Sequence, residues 1–292
     1  MNNQKKAYIF AISAILLWST VGVSFKIALR YVDFLQLLFF SSAVALISHI
    51  VISLISKNLK QLFEVSRKDL LYSSFVGFLN PFLYYVVLFK AYSLLPAQIA
   101  QPLNYLWPAM LVLLSAPLLG QKLQLKSLFT VFLGFLGVYI IATQGNILDF
   151  EIEKPFGVIL AAGSSVIWAL SWIFNQKDKR KGEIKLFWAF FFGLIYISIS
   201  LFFFSDFKLP GLKGILAVTY VGLFEMGITF FLWMKALQIT DRNDRISNLV
   251  FLSPFLALIW INLFLGENIY HTSYIGLIFI ILGISIQQIK RK

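Results

Sequence analysis

The sequence has no cysteine and only two histidines among its 292 residues. Without cysteine there is no disulfide framework, no cysteine-ligated zinc or iron–sulfur site and no thiol nucleophile. The two histidines, His49 and His271, are far apart and match no metal-ligand spacing. No cofactor motif or phosphate-binding glycine loop is present either, so we expect neither a metal nor a cofactor.

Charged residues are also scarce. They make up 13% of the chain, whereas 59% of the residues are hydrophobic, and a soluble domain carries about 25% charged residues. This composition excludes a soluble enzyme and a disordered or fibrous protein. Backbone groups in lipid must be hydrogen-bonded within the protein. The long apolar runs do not alternate as the strands of a membrane barrel do, so helices are expected.

Apolar runs of spanning length follow one another along the whole chain, and a spanning helix needs about 20 apolar residues. The predicted spans are Ala7–Phe25, Phe34–Ile55, Leu70–Phe89, Ala97–Leu119, Leu125–Ala142, Phe156–Asn175, Leu186–Phe204, Gly214–Met234, Ile246–Leu265 and Tyr274–Ile289. The chain is thus predicted to be an all-α integral membrane protein with ten transmembrane helices.

The basic residues are unevenly distributed between the loops. If the N-terminus is inside, about three-quarters of the lysines and arginines fall on the inner side, which is a strong positive-inside signal. It predicts that both termini are cytoplasmic in a bacterial-type inner membrane. The net charge of +12 is then explained by basic loops that face anionic lipid, and we expect no nucleic-acid partner.

The chain repeats itself on either side of a polar linker, Gly145–Pro155. Matching residues, 145 or 146 positions apart, are Gly77 and Gly222, Lys90 and Lys235, Pro108 and Pro254, and Gly120 and Gly266. These matches predict two repeats of five helices each, residues 1–146 and residues 155–292. Because five is odd, the two repeats would be inverted relative to each other, as in many secondary transporters.

Two short motifs carry a resemblance to a known family. They are Trp18-Ser19-Thr20 and Asn104-Tyr105-Leu106-Trp107-Pro108 with Gly120-Gln121-Lys122 downstream. Over essentially its full length the chain resembles the drug/metabolite transporter superfamily in its EamA-type form, and the second motif resembles the aromatic amino-acid exporters. The equivalent second-half segment, Leu249–Pro254, has no aromatic pair. The resemblance implies a permease rather than an enzyme.

Two polar residues are placed deep in predicted spans. Glu225 is the only acidic residue far inside a span, and ionisable groups at such depth are costly and usually functional. It is a candidate for proton coupling, and the alternative is a hydrogen-bonded structural residue. Asn80, 145 positions earlier, precedes Pro81, which removes a helix hydrogen bond. The pair predicts a helix break near the membrane midplane, and Asn80 is a candidate substrate-binding residue.

The fourth span carries a polar stripe, because Gln98, Gln101 and Asn104 are three residues apart and share one helix face. Tyr105 lies beside it. Amide side chains can pair with both the amine and the carboxylate of an amino acid. Hydrogen bonding between helices is the alternative function of this stripe.

Aromatic residues are placed to form a pocket wall. The candidates are Trp18, Tyr84, Trp107, Trp168 and Trp172. Such walls bind aromatic side chains or organic cations. The alternative is that these residues belong to the aromatic belts at the membrane surfaces.

The sequence therefore predicts a secondary transporter that exports small amphipathic metabolites, above all aromatic or other apolar amino acids, by alternating access, with proton coupling as an option. An exporter of a drug cation, a nucleobase or a polyamine is the alternative. An intramembrane enzyme is remote, because paired carboxylates and a nucleophile with a base are lacking. The expected partners are a small-molecule substrate and the lipid bilayer, and the assembly is a monomer or a weak homodimer. The exact substrate, the direction of net transport and the coupling ion are not set by the sequence.

Overall fold

The structure, a computed structural model, describes residues 3–56, 59–120, 125–144, 153–240, 246 and 249–288. The regular secondary structure of these ranges is helical. The first half contains α1 (Asn3–Ala28), α2 (Phe34–Ile55), α3 (Leu59–Phe63), α4 (Arg67–Gly77), a π-helical segment (Phe78–Leu83), α5 (Tyr84–Leu94), α6 (Ala97–Asn104), α7 (Trp107–Leu119) and α8 (Leu125–Ala142). The second half contains α9 (Pro155–Lys177), α10 (Gly182–Phe204), α11 (Leu212–Val221), a π-helical segment (Gly222–Gly227), α12 (Ile228–Ile239), a 3₁₀ turn (Leu249–Leu252), α13 (Ser253–Leu265) and α14 (His271–Gln288).

Several helices, alone or with the helix that continues them, are long enough to cross a bilayer. Among the described residues, seven helical stretches qualify by length and hydropathy: Asn3–Ala28, Phe34–Ile55, Arg67–Leu94, Ala97–Leu119, Pro155–Lys177, Gly182–Phe204 and Leu212–Ile239. Three shorter apolar helices are Leu128–Ala142, Leu249–Leu265 and His271–Ile286. Each overlaps a predicted span, and several extend beyond it into polar residues. The chain is a multi-pass helical membrane protein.

Some sequence predictions fall outside the described residues. They include most of the linker between the halves (145–152), Gln121 and Lys122 of the second motif, and basic residues counted toward the inner side, namely Lys57, Arg242, Arg245 and residues 290–292.

Two spans are interrupted by a π-helical turn. In the first, the backbone of Asn80 is non-helical (φ −152°, ψ 119°), which confirms the predicted break at Asn80-Pro81. The second runs through Glu225 to Gly227, whose backbone also departs from helical geometry (φ −110°, ψ −97°). Such turns leave backbone groups without their usual partners. After the second break the Thr229 hydroxyl donates a hydrogen bond to the Phe224 carbonyl.

The breaks are packed closely against neighbouring helices. Gly77 faces the Ala189 carbonyl of α10, and Gly193 of α10 faces the ring of Pro81. In the second half, Gly222 faces the Ser41 carbonyl of α2. A side chain at any of these glycines would meet backbone or a rigid ring.

The protein core lies between the helices, and the outer faces are apolar. Phe25 packs edge-on against Phe89, with ring centroids 4.8 Å apart, and both are fully buried. The last helix of each half packs against the other, where Gly137 and Gly276 face each other. By contrast, the phenylalanines at 202–204 are at least 70% exposed, as expected for side chains that face lipid.

One end of the bundle is held together by polar contacts between the two halves. The Glu267 carboxylate accepts hydrogen bonds from the backbone N–H groups of Ala97 (2.9 Å) and Gln98 (3.1 Å) at the start of α6. The Gln98 amide donates to the Asn268 carbonyl (2.9 Å) and accepts from the Tyr270 N–H (2.8 Å). We call these four residues with Ala97 the α6 clasp.

Candidate functional site

A cavity of about 420 Å³ lies among α1, α5, α6, α7, α9, α12 and the second helix break. We call it the central cavity. It brings together nine of the eleven residues singled out from the sequence: Trp18, Tyr84, Gln101, Asn104, Tyr105, Trp107, Trp168, Trp172 and Glu225. These residues come from both halves of the chain, so the cavity is formed only when the halves pack together.

Aromatic rings form most of its wall, and Trp168 lies at their centre. Its ring centroid is 4.8 Å from Tyr84, 6.5 Å from Trp107 and 6.4 Å from Trp172, on which it stacks. Phe230 of α12 lies 5.8 Å away. The wall presents both ring faces and ring edges, which suit a flat apolar group.

The second helix break places Glu225 in this wall. The side chain is 93% buried, because only 7% of its surface is exposed. Its Oε1 atom accepts a hydrogen bond from the Tyr85 hydroxyl at 3.0 Å. Its Oε2 atom is buried and has no hydrogen-bond partner among the described residues. A buried oxygen without a partner is costly, so this atom is poised to accept a proton or a donor from a ligand.

The amides of α6 divide between structure and cavity. Asn104 accepts from the Tyr84 hydroxyl (3.2 Å) and donates to the Ser164 hydroxyl of α9 (2.8 Å), so its amide already links three helices. Gln101 is different. Its Oε1 atom is buried and, within the described part of the chain, has no hydrogen-bond partner, and its amide lies against Gly22, where a larger residue would collide with it.

Two predicted residues lie outside the central cavity. Gln98 belongs to the α6 clasp, where both atoms of its amide are used in contacts between the halves. Asn80 lines a neighbouring cavity instead. The polar stripe of α6 therefore has both of the roles considered for it. Gln98 forms hydrogen bonds between the two halves, and Gln101 and Asn104 line the central cavity.

Other residues in the site were missed by the sequence analysis. Tyr85 holds Glu225, and Tyr92, Phe230 and Trp233 line the cavity. Trp18 contacts both Phe230 and Trp233 at 5.5 Å. Tyr85 follows Tyr84 directly, and neighbouring residues on a helix point in different directions. Only the packing of α5 against the second break shows that Tyr85 reaches the site.

Two further cavities continue from the central one. The second, of about 290 Å³, shares Trp168, Trp172, Gln176, Phe230 and Leu237 with it. It is otherwise lined by Asn80, Ser171, Asn175, Lys185, Gln238 and apolar residues. The third, of about 340 Å³, includes His49, Glu183, Lys235 and Gln238. The exposed side chains of Gln176, Lys235 and Gln238 lie near the ends of α9 and α12, so this series of cavities leads away from the α6 clasp.

A charged group stands beside the second cavity. Asp178, just after α9, accepts hydrogen bonds from Arg180 at Nε (2.9 Å) and Nη2 (2.5 Å). Burial opposes ionisation of the Asp178 carboxyl, but the bonds from Arg180 outweigh burial and hold its pKa below the ordinary value. Arg180 also donates to Ser73 of α4 at 2.7 Å, so this pair ties α4 to the turn before α10.

Comparison with known proteins identifies the family. The model of the EamA-like transporter family matches residues 5–143 and again residues 155–287. The chain belongs to the EamA-like transporter family. It is similar to an uncharacterized transporter of Clostridium kluyveri, at 24% identity over 99% of this chain and 94% of the relative.

Other relatives are similarly distant. Protein PecM of Dickeya dadantii is 24% identical over 73% of this chain and 72% of its own length. The aromatic amino acid exporter YddG of Ancylobacter novellus is 27% identical over 51% of this chain and 53% of its own. A crystal structure, 20% identical, superposes with a TM-score of 0.68 and covers 97% of this chain and 96% of its own. It shows that the two proteins share a fold.

Proposed function

We propose that this EamA-like transporter is a secondary exporter of small amphipathic metabolites, with aromatic or other apolar amino acids as its main substrates. The observation that carries the proposal is the central cavity, where an aromatic wall surrounds a buried carboxylate with one unpaired oxygen. Its volume of about 420 Å³ falls in the range of small-molecule sites.

The amphipathic character of the cavity matches such a substrate. The rings around Trp168 would contact the apolar side chain, and Oε2 of Glu225 would accept a hydrogen bond from the ammonium group. The Gln101 amide oxygen offers a second acceptor. Both acceptors would gain the partner that they lack.

Alternating access would follow from two inverted repeats, residues 1–146 and residues 155–292. The matching helix breaks at Phe78–Leu83 and Gly222–Gly227 support this assignment. So do the left-handed glycines, Gly120 and Gly266, that end α7 and α13. Each repeat could then adopt the conformation of the other, which would close one end of the cavity and open the other.

The described conformation fits one step of that cycle. The α6 clasp closes one end, and the cavities continue toward the other, where α1 begins and α9 ends. The distribution of basic residues predicts that this second end faces the cytoplasm of a bacterial-type inner membrane, with both termini on that side. The conformation would then receive substrate from the cytoplasm, as an exporter requires. We expect the transporter to work as a monomer or a weak homodimer.

Proton coupling is assigned to Glu225. The carboxyl group of Glu225 would hold either a proton or the ammonium group of the substrate, but not both. The proton and the substrate would therefore cross the membrane in opposite directions. The name of the exporter from Ancylobacter novellus supports aromatic amino acids as the cargo.

A second candidate is export of an organic cation. Among the described residues that line the central cavity, Glu225 is the only charged side chain. Aromatic rings attract cations through their faces, so a drug cation would also fit.

Counterflow in proteoliposomes tests both functions. Labelled phenylalanine and labelled tetraphenylphosphonium would be offered to the wild type and to Trp107→Ala and Glu225→Gln. We expect phenylalanine uptake to fall at least about tenfold in each variant. Glu225→Gln removes a buried charged hydrogen bond, and Trp107→Ala removes a large aromatic contact. Phe203→Ala, at an exposed ring, and Glu64→Gln, at an exposed carboxylate, are the matched controls.

The outcomes separate the candidates. Equal uptake by all five proteins would refute the central cavity as the substrate site. Wild-type transport of tetraphenylphosphonium without phenylalanine would replace the first function by the second.

A further inference from the structure

The second cavity has a chemical character different from that of the central cavity. Its polar lining consists of four amides, one lysine and one serine: Asn80, Asn175, Gln176, Gln238, Lys185 and Ser171. Among its described lining residues there is no aspartate or glutamate. It meets the central cavity at three aromatic residues, one amide and one leucine, namely Trp168, Trp172, Phe230, Gln176 and Leu237. A molecule moving between the two cavities therefore passes along aromatic rings.

Lys185 is held in place by the C-terminal end of α9. Its Nζ atom donates to the Asn175 carbonyl (3.0 Å) and, more weakly, to the Asp178 carbonyl (3.5 Å). A lysine ammonium has three donors, so these two bonds leave one donor. The two carbonyls fix the position of the charge without neutralising it.

The nearest carboxylate is already engaged. Asp178 is bound at both oxygens by Arg180, and this is the ion pair found among the described residues. The charge of Asp178 is balanced by that of Arg180. Asp178, Arg180 and Lys185 together therefore keep a net charge of +1, which the half-buried Lys185 carries. A partly buried positive charge beside amide donors favours an anion.

We propose that the second cavity is a carboxylate-binding station, in which Lys185 binds the carboxylate of the substrate between the central cavity and the end where α9 and α12 finish. This proposal deepens the proposed function and rests on it for the identity of the substrate. The amides around the cavity supply further donors, and Trp172 and Phe230 contact the apolar part of the molecule.

The charge of the second cavity favours one carboxylate over a phosphate. The cavity holds about 290 Å³, and one lysine with a single remaining donor balances one negative charge. An amino acid on this path would meet an acceptor for its ammonium in the central cavity and a donor for its carboxylate in the second cavity, one after the other.

The test compares ligands that share a ring and differ in the carboxylate. Transport of phenylalanine and of phenethylamine, which lacks the carboxylate, would be measured for the wild type, Lys185→Gln and Lys185→Arg. We expect Lys185→Gln to raise the KM for phenylalanine roughly tenfold, since a charged hydrogen bond is lost, and to leave the KM for phenethylamine unchanged. Lys185→Arg keeps the positive charge and should retain most of the wild-type affinity for phenylalanine. Lys235→Gln, at an exposed lysine of the third cavity, is the matched control and should behave as the wild type.

A binding measurement separates this proposal from the proposed function. Calorimetry with 3-phenylpropionate, which has the carboxylate and no ammonium, is expected to show binding to the wild type that Lys185→Gln weakens about tenfold. If the wild type transports no amino acid but binds 3-phenylpropionate through Lys185, the proposed function fails and the station remains. The station is refuted if the wild type does not bind 3-phenylpropionate, or if Lys185→Gln changes both ring compounds equally, as a purely structural role of Lys185 would require.

Discussion

The two helix breaks share a sequence position and a length but not a chemistry. Each is a six-residue π-helical segment that begins after a stretch of regular helix, at Phe78 in the first half and at Gly222 in the second. The first places the neutral Asn80 beside the second cavity. The second places Glu225 in the central cavity, where Tyr85 of the first half binds it.

This difference shows that backbone irregularity and side-chain chemistry are separate in this fold. The break brings a polar residue to mid-span, and the residue at that position decides what the site can bind. The ionisable group, Glu225, lies in the central cavity, where the two halves meet. The amide of Asn80 occupies the matching position of the first half, beside the second cavity. A second carboxylate at Asn80 would add another costly charge within the membrane.

The largest effect is expected when the packing of the breaks is disturbed. Gly77→Ala and Gly222→Ala each place a methyl group against a backbone carbonyl of a neighbouring helix, which cannot move aside easily. Overpacking of this kind costs about 1–3 kcal/mol. We expect both variants to unfold at clearly lower temperature in detergent.

Gly163→Ala is the matched control for these substitutions. It is also a helical glycine, in α9, but among the described residues no atom of a neighbouring helix lies within 4 Å of the added methyl group. Its melting temperature should be unchanged or slightly higher, because alanine favours helix. Equal melting temperatures for all three variants would mean that the breaks are not tightly packed.

An intermediate effect is expected at the hydrogen bond between Tyr85 of the first half and Glu225 of the second. Tyr85→Phe removes the hydroxyl that donates to Glu225 and leaves both carboxylate oxygens without a partner. Phenylalanine transport should fall about tenfold. In a double-mutant cycle with Glu225→Gln, the loss should be smaller than the sum of the two single losses, because both act on one interaction. Strict additivity would show that the 3.0 Å contact does not matter for transport.

The smallest effect is expected at Asn80. Asn80→Ala keeps the following proline and shortens a half-buried side chain in the second cavity. We expect the KM for phenylalanine to rise no more than about threefold, since one amide among several is lost. Transport driven by an imposed pH gradient should persist in Asn80→Ala and disappear in Glu225→Gln. Its loss in both variants would remove the distinction between the two breaks.

The fold was more predictable than the site. Long apolar runs permit only helices in lipid, so the helices could be predicted from them. Two helices have the predicted bounds, namely Phe34–Ile55 and Leu125–Ala142. The proline after Asn80 marked the first break. The second break carries no proline, and the sequence analysis did not predict it.

The site depended on contacts that no sequence pattern contains. Glu225 was found because a carboxylate is costly inside a membrane unless it has a use. Trp168 was found because aromatic rings suit the wall of a pocket. Tyr85 was missed because its role depends on which helix packs against α5. Gln98 and Gln101 share one helix face, yet the second half covers only Gln98, and the sequence of α6 does not reveal that boundary.

The α6 clasp has a consequence for energetics as well as for shape. Its hydrogen bonds join segments about 170 residues apart, and separating the halves at that end would break them together. In a protein that exchanges two conformations, the free energy of those bonds biases the resting population toward the one in which they are intact. Under the proposed alternation between two conformations, substitutions at Glu267 would change the turnover rate without altering the lining of the central cavity.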